Sequence, residues 1–189
     1  MGFMIIKERK IEGVYEIQLE LNIDSRGFFM RTYDKDVFRK YYLDRKWHHE
    51  NQSRSELKYT IRGLHFQLPP YCETKLIRCI RGIILDVFVD LRIGSKTFGQ
   101  WDSIELSEEN KKMVFIPRGF AHGFCTLTDS TEVIYKVDNI YNQDYECGII
   151  WNDKDININW KVESPILSEK DKKNITFREF ISKYKGIEV

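Results

Sequence analysis

From Ile61 onward, apolar and polar residues alternate in short runs rich in Val, Ile, Phe and Tyr, and Gly, Pro, Asn or Asp cut one run from the next. A period of two sends successive side chains to opposite faces of an extended chain, so these runs predict strands over 76–80, 83–90, 99–106, 113–117, 123–127 and 131–137. Short strands about 8–12 residues apart indicate an all-β sandwich or barrel. Two stretches carry the helical period instead. Over 35–44, Val37, Phe38, Tyr41 and Tyr42 recur on one face. Near the C-terminus, Thr176 and Glu179 form a T-x-x-E capping box, followed by Phe177, Phe180, Ile181 and Tyr184 at helical spacing. Both helices are expected to brace the sheets from outside.

With 189 residues, no repeat and no Pro/Ser linker, the chain is expected to form one domain over 1–189. Its 30 Lys plus Arg face 29 Asp plus Glu, a net charge of +1, so no global field draws nucleic acid or an anionic membrane. A 42% hydrophobic and 14% aromatic composition supplies a sizeable core. No apolar run nears the roughly 20 residues that span a bilayer. The longest, 83–91, is broken by Asp86 and Asp90. The first nine residues become charged too early for a leader, and Cys72, Cys79, Cys125 and Cys147 include no C-x-x-C pair, so reduced thiols in a soluble cytoplasmic protein are expected.

Nucleotide-binding G-x-G-x-x-G and G-x-x-x-x-G-K-[ST] patterns are absent, as are G-x-S-x-G and H-E-x-x-H. Chemistry must therefore come from polar side chains inside strand patterns. Residues 60–82 are the densest such segment, with Arg62, Lys75, Arg78 and Arg81 against one acid, Glu73. Within I-R-G-L-H-F-Q, alternation sets His65 and Gln67 on one face and Leu64 and Phe66 on the other. Strict alternation aims Arg62 away from His65, but Gly63 stands between them, and a glycine inside a strand often marks a bulge that re-aims its neighbour. Taken singly, His65 fits a satisfied or surface histidine and Lys75 a solvated strand end; only convergence would make them a site.

In F-I-P-R-G-F-A-H-G-F (115–124), a strand ends at Pro117, turns through Gly119 and presents His122 at the start of the next. This P-x-G-x-x-H spacing resembles the second motif of the cupin superfamily, whose fold is a double-stranded β-helix or jelly roll. Metal-binding cupins use His-x-His followed by an acid, whereas this chain has His65-Phe66-Gln67 and then the cation Lys75, so no metal is expected.

D-S-R-G-F-F (24–29), I-R-G-L-H-F-Q (61–67), T-K-L-I-R (74–78), D-V-F-V-D-L-R (86–92), T-F-G-Q-W (97–101), I-P-R-G-F-A-H-G-F (116–124), W-N-D (151–153) and L-S-E-K-D (167–171) together resemble the dTDP-4-dehydrorhamnose 3,5-epimerase family, in order and nearly end to end. The resemblance implies a cupin jelly roll with short peripheral helices, working as a homodimer without metal or cofactor on a nucleotide-linked 4-keto-6-deoxy sugar. It implies His65 as the base beside the C4 ketone, Asp171 as its orienting carboxylate, Tyr135 as the acid on the opposite face of the sugar and Lys75 as the cation at the developing enolate. Imidazole ordinarily titrates near 6.5, far below a carbon acid, so such a base needs that stabilisation. By the same resemblance Arg62, Asn51 and Arg26 serve the diphosphate, with Arg26 reaching across from the other subunit. His122 then lines the barrel, and Glu146 and Lys170 lie near the nucleoside. Three positions depart from the family pattern: Arg31 stands where an acid is usual, His49-Glu50-Asn51 replaces Q-x-N, and Ile140 replaces a tyrosine. Two alternatives stay open at this point: a mono-epimerase or an enzyme of another nucleotide sugar such as a CDP-linked one, and a non-catalytic sugar-nucleotide-binding cupin.

Overall fold

The computed structural model describes residues 4–189. Strands are numbered in chain order. A six-stranded antiparallel sheet runs Met4–Glu8 (β1), Tyr15–Leu19 (β2), Lys112–Ile116 (β10), Lys75–Arg81 (β7), Thr131–Val137 (β12) and His49–Ser55 (β5). A five-stranded one runs Glu146–Gly148 (β13), Ile61–Gln67 (β6), Phe120–Thr126 (β11), Ile83–Asp90 (β8) and Trp101–Ser107 (β9). Asn22–Asp24 (β3) and Gly27–Phe29 (β4) make a separate hairpin. From β6 to β13 the chain passes back and forth between the sheets, the wiring of a jelly roll. The six expected strands all form, two with the expected bounds and four with ends displaced by one to three residues. The largest displacement puts His122 inside β11 rather than at its start.

Three apolar layers hold the sheets. Between them lie Ile77, Cys79, Ile84, Phe88, Val114, Phe120, Phe124 and Val133. Outside the five-stranded sheet, Leu64, Phe66, Val87, Val89 and Ala121 pack beneath Phe177 and Phe180 of helix Phe177–Tyr184 (α2). Outside the six-stranded sheet, Ile6, Ile17, Leu76, Met113 and Phe115 pack beneath Phe38 of helix Lys35–Lys40 (α1). Apolar side chains on both faces make β8 a continuous buried run rather than an alternating one.

Both helices brace the outside as expected, with two corrections to their apolar faces. The first helix stops at Lys40. Tyr42 takes a left-handed φ of 60°, and Tyr42 N–H and Leu43 N–H close onto the Arg39 and Phe38 carbonyls at 3.0 and 2.9 Å. This Schellman closure buries Leu43 and turns Tyr41 and Tyr42 outward, 42% and 88% exposed. In α2 the capping box forms, with Thr176 Oγ1 accepting from Glu179 N–H at 3.2 Å and Thr176 N–H donating to Glu179 Oε2 at 2.7 Å. Ile181, however, lies on the exposed flank. All four cysteines are free thiols, and burial pushes Cys72 up to about 11, Cys79 to about 12 and Cys125 to about 11, which keeps those three protonated.

Candidate active site

A cavity of about 530 Å³ opens between the sheets, and side chains from both line it. One strand pair in its wall is irregular. His122 of β11 faces His65 of β6, yet Phe124, two residues on, faces Arg62, three residues away, so β6 carries one extra residue. Gly63 takes it up. With φ at +128°, a Cβ there would come within 2.5 Å of the Gly123 Cα, a fit that only two facing glycines allow. The bulge brings Arg62 and His65 to the same side, and both line the cavity. The alternation therefore resolves with Leu64 and Phe66 packed outward under α2 and His65 turned between the sheets.

His65 Nε2 lies 2.6 Å from Asp171 Oδ1. Asp171 comes from the segment laced along β6, where Ile61 N–H donates to the Ile166 carbonyl at 3.0 Å. Its own N–H donates to Ser168 Oγ at 3.0 Å, and Oδ2 accepts from Gly63 N–H at 3.4 Å. Burial pushes this carboxyl upward, but the hydrogen bond and charge of His65, with the Gly63 and Ser168 contacts, outweigh it and hold it below the usual aspartate value. The aspartate is therefore ionised beside the imidazole.

The six-stranded sheet supplies Tyr135 from β12 and Lys75 from β7. Tyr135 shares the inner side of β12 with Val133, as a core tyrosine would, and also faces the cavity. Lys75 Nζ stands 5.9 Å from the centroid of its ring and is ion-paired to Glu73. Tyr135 also borders a second lobe of about 390 Å³, lined with His49, Asn51, Glu73, Val137 and Tyr141. Asn51 thus belongs to the second lobe, directly opposite Tyr135 in strand register. At the rim Lys170 pairs with Glu146, whose other oxygen accepts from the Tyr141 hydroxyl at 2.7 Å, a bond that raises that phenol to about 12.

The basic segment divides. Arg62 and Lys75 face the cavity, with Arg62 donating to Ser55 Oγ at 3.1 Å and the Arg54 carbonyl at 3.0 Å. Arg78 lines a small outer cleft, and Arg81 reaches Glu132. Arg26 sits at the tip of the β3–β4 hairpin, 87% exposed and paired with Asp24, outside the cavity of its own chain. Arg31 donates to Asp34, the N-cap of α1, at 2.8 Å. Ile140 offers its carbonyl to Gln67, and the tyrosine beside it, Tyr141, supplies the aromatic wall of the second lobe.

Asp86 is the member that sequence reasoning missed. Fully buried on the inner side of β8, it places Oδ2 2.9 Å from His122 Nε2, while Oδ1 has no hydrogen-bond partner. Burial pushes its carboxyl up against the opposing charges of His122 and Lys75. The signal was present as an acid interrupting the apolar run 83–91. Among the described residues no three His, Cys, Asp or Glu side chains gather as a metal site, and no helix is long and apolar enough to cross a membrane.

A jelly-roll barrel with a histidine–carboxylate pair on one wall and a phenol and an ammonium on the facing wall defines an acid–base enzyme of the cupin superfamily. Residues 8–179 match the model of the dTDP-4-dehydrorhamnose 3,5-epimerase family. The chain is 49% identical to the dTDP-4-dehydrorhamnose 3,5-epimerase of Shigella flexneri over 150 residues, 78% of this chain and 82% of that protein. It superimposes with a TM-score of 0.90 on the Bacillus anthracis enzyme with TDP and pyrophosphate bound, at 44% identity over 92% of this chain and 99% of that one. For the Legionella pneumophila enzyme in complex with dTDP-4-keto-L-rhamnose, the TM-score is 0.87, with 34% identity and 93% of each chain covered. The chain belongs to the dTDP-4-dehydrorhamnose 3,5-epimerase family.

Proposed function

We propose that this protein inverts C3 and C5 of dTDP-4-dehydro-6-deoxy-D-glucose, giving dTDP-4-dehydro-L-rhamnose for the synthesis of rhamnose-type surface sugars in the cytoplasm. The observation that carries this reading is the placement of His65 and Tyr135 on facing sheets across one cavity. A carbon is inverted when its proton leaves from one face and another arrives at the opposite face. His65 takes the proton from the carbon next to the C4 ketone. The C–H electron pair becomes the C=C bond, and the carbonyl π pair moves onto the C4 oxygen. Lys75 stabilises that oxygen; a positioned donor at such an atom is typically worth about 2.7–4 kcal/mol. Tyr135 then protonates the opposite face, and solvent resets both groups. Asp171 holds the imidazole in place and stabilises its cationic form.

Arg62 and Asn51 hold the diphosphate, with Arg26 of a second copy closing on it in a homodimer. Support for that assembly comes from the hairpin carrying Arg26, whose Ile23, Phe28 and Phe29 are 75%, 54% and 59% exposed, an apolar surface that a second copy would cover. His122 lines the sugar site, and Glu146 with Lys170 faces the nucleoside. The domain acts as one unit, without a metal or cofactor.

The test is incubation with dTDP- and CDP-linked 4-keto-6-deoxyglucose in D₂O, with deuterium located by NMR. Incorporation at both C3 and C5 of the dTDP sugar is expected. Exchange at one carbon, or with the CDP sugar alone, overturns the proposal.

A further inference from the structure

Most charges in the cavity are matched within their own wall: His65 by Asp171, His122 by Asp86 and Lys170 by Glu146. The surroundings of Tyr135 are different. Arg62 and Lys75 both line the cavity its ring faces, and Arg62 donates only to neutral acceptors. The second lobe, which Tyr135 also lines, holds Glu73, His49 and Tyr141. Along the outer cleft that Tyr135 also borders, Glu50 pairs with Lys136 beside Arg78. Glu73 is thus the anion that shares the second lobe with the phenol and pairs with Lys75.

Glu73 is also fixed in place. One carboxylate oxygen takes the Lys75 ammonium, and the other accepts from Gln67 Nε2 at 3.2 Å. Gln67 is buried, and the same amide nitrogen reaches the Tyr71 and Ile140 carbonyls at 3.0 and 3.1 Å, while its Oε1 accepts from Asn142 N–H at 2.7 Å. The side chains of Glu73 and Lys75 are only 14% and 11% exposed, so water screens their pairing weakly.

We propose that Glu73 is a positioning residue: it anchors the Lys75 ammonium beside Tyr135 and supplies the negative charge that lets the phenol keep its proton next to two cations. The inference rests on the reading of Tyr135 as the acid and Lys75 as the cation at the enolate. An acid works only in its protonated form, and unopposed cations favour the phenolate. In accord with this geometry, burial first and the Glu73 charge second hold the Tyr135 phenol above its ordinary value, against Arg62.

Glu73→Gln keeps the shape and removes the charge. The readout is the NMR titration of ¹³Cζ-tyrosine in the free protein, with the Tyr135 resonance assigned by its loss in Tyr135→Phe. In Glu73→Gln the Tyr135 midpoint should move to lower pH, and the alkaline limb of the exchange rate should move with it. The double variant Glu73→Gln/Lys75→Met should return the midpoint upward. An unchanged or raised midpoint in the single variant, or a double variant titrating like the single, overturns the proposal. Should Glu73→Gln fail to fold, Lys75→Met alone decides: a raised midpoint supports the pairing, and an unchanged one refutes it. The titration needs no substrate, so a wild-type protein that exchanges no deuterium would sink the epimerase reading while leaving the role of Glu73 to be judged by the midpoint.

Discussion

Asp171→Asn isolates the contribution of the carboxylate to the proposed base, His65. The residue is 3% exposed and meets His65 at 2.6 Å, so the contact is a short charge-assisted hydrogen bond shielded from bulk water. The imidazole accepts a proton only in its neutral form; once it has taken the carbon's proton it is a cation, and a negative partner then counts in full. Hydrogen bonds to charged groups contribute about 1.5–3 kcal/mol. At about 1.36 kcal/mol per decade of rate, the substitution should lower kcat by about 10–150-fold. Because the stabilisation develops in the transition state, KM should hardly move. The shape is kept, and the asparagine oxygen can still accept from Gly63 N–H. The assay is solvent deuterium uptake at C3 and C5, with kcat and KM fitted separately. A loss confined to KM, or a kcat within twofold of wild type, would refute the role given to Asp171.

Tyr135→Phe should retain deuterium uptake, since His65 can return a solvent deuteron to the face it left, while inverted product falls by about 10²-fold or more; inversion in step with exchange would remove Tyr135 as the acid. Gly63→Ala places a methyl group 2.5 Å from the Gly123 Cα at a φ of +128°, so it should cost at least about 2 kcal/mol in denaturant unfolding and abolish exchange by undoing the bulge, and a variant with wild-type activity would show the bulge to be dispensable. Asp90 is fully buried, bound by Arg92 Nε and Nη2 at 2.9 and 2.8 Å and by the Ser95 and Thr97 hydroxyls at 2.5 and 2.7 Å, and Asp90→Asn should destabilise the fold by about 3 kcal/mol. Burial pushes the Asp90 carboxyl up, but these partners outweigh it and lower it overall; its contribution is therefore complete above the unfolded aspartate range and lost as pH falls through the lowered folded value, and unfolding curves of Asp90→Asn should show a shallower acid-side decline than wild type.

Much of the barrel could be read from the chain because a strand facing one core and one boundary layer alternates, as β12 does. Of the strands that escaped notice, β1 and β2 alternate over only five residues each, and β3, β4 and β5 lack that contrast. β5, His49–Ser55, is a polar edge with a single buried residue, and β3 and β4 are three-residue pieces exposed throughout. Tyr41 and Tyr42 misled for a related reason: helical spacing cannot register that the helix ends at Lys40 and that Tyr42 turns left-handed just beyond it. The convergence of Arg62 with His65 hung on Gly63, whose composition permits a bulge but whose partner glycine, Gly123, becomes its neighbour only through the fold. Asp86 and Glu73 lay in plain view as an acid in an apolar run and an acid in a basic one. Asp86 finds His122 on another strand, and Glu73, besides its near neighbour Lys75, finds Gln67 across the turn between β6 and β7, contacts that no local pattern announces.

The wiring of the barrel bears directly on stereochemistry. β6 and β7 are consecutive in the chain but lie in opposite sheets, and β11 and β12 repeat the arrangement. One crossover therefore sends His65 and Lys75 to facing walls, and the other does the same for His122 and Tyr135. Had β12 returned beside β11 as an ordinary hairpin, Tyr135 would stand on the same wall as His65 and could reach only the face of the sugar from which the proton departs. Such a site would exchange hydrogen with solvent and invert nothing. With His65 as the proposed base and Tyr135 as the proposed acid, what separates exchange from epimerisation is the change of sheet between β11 and β12, together with the bulge that turns His65 and Arg62 toward the same space.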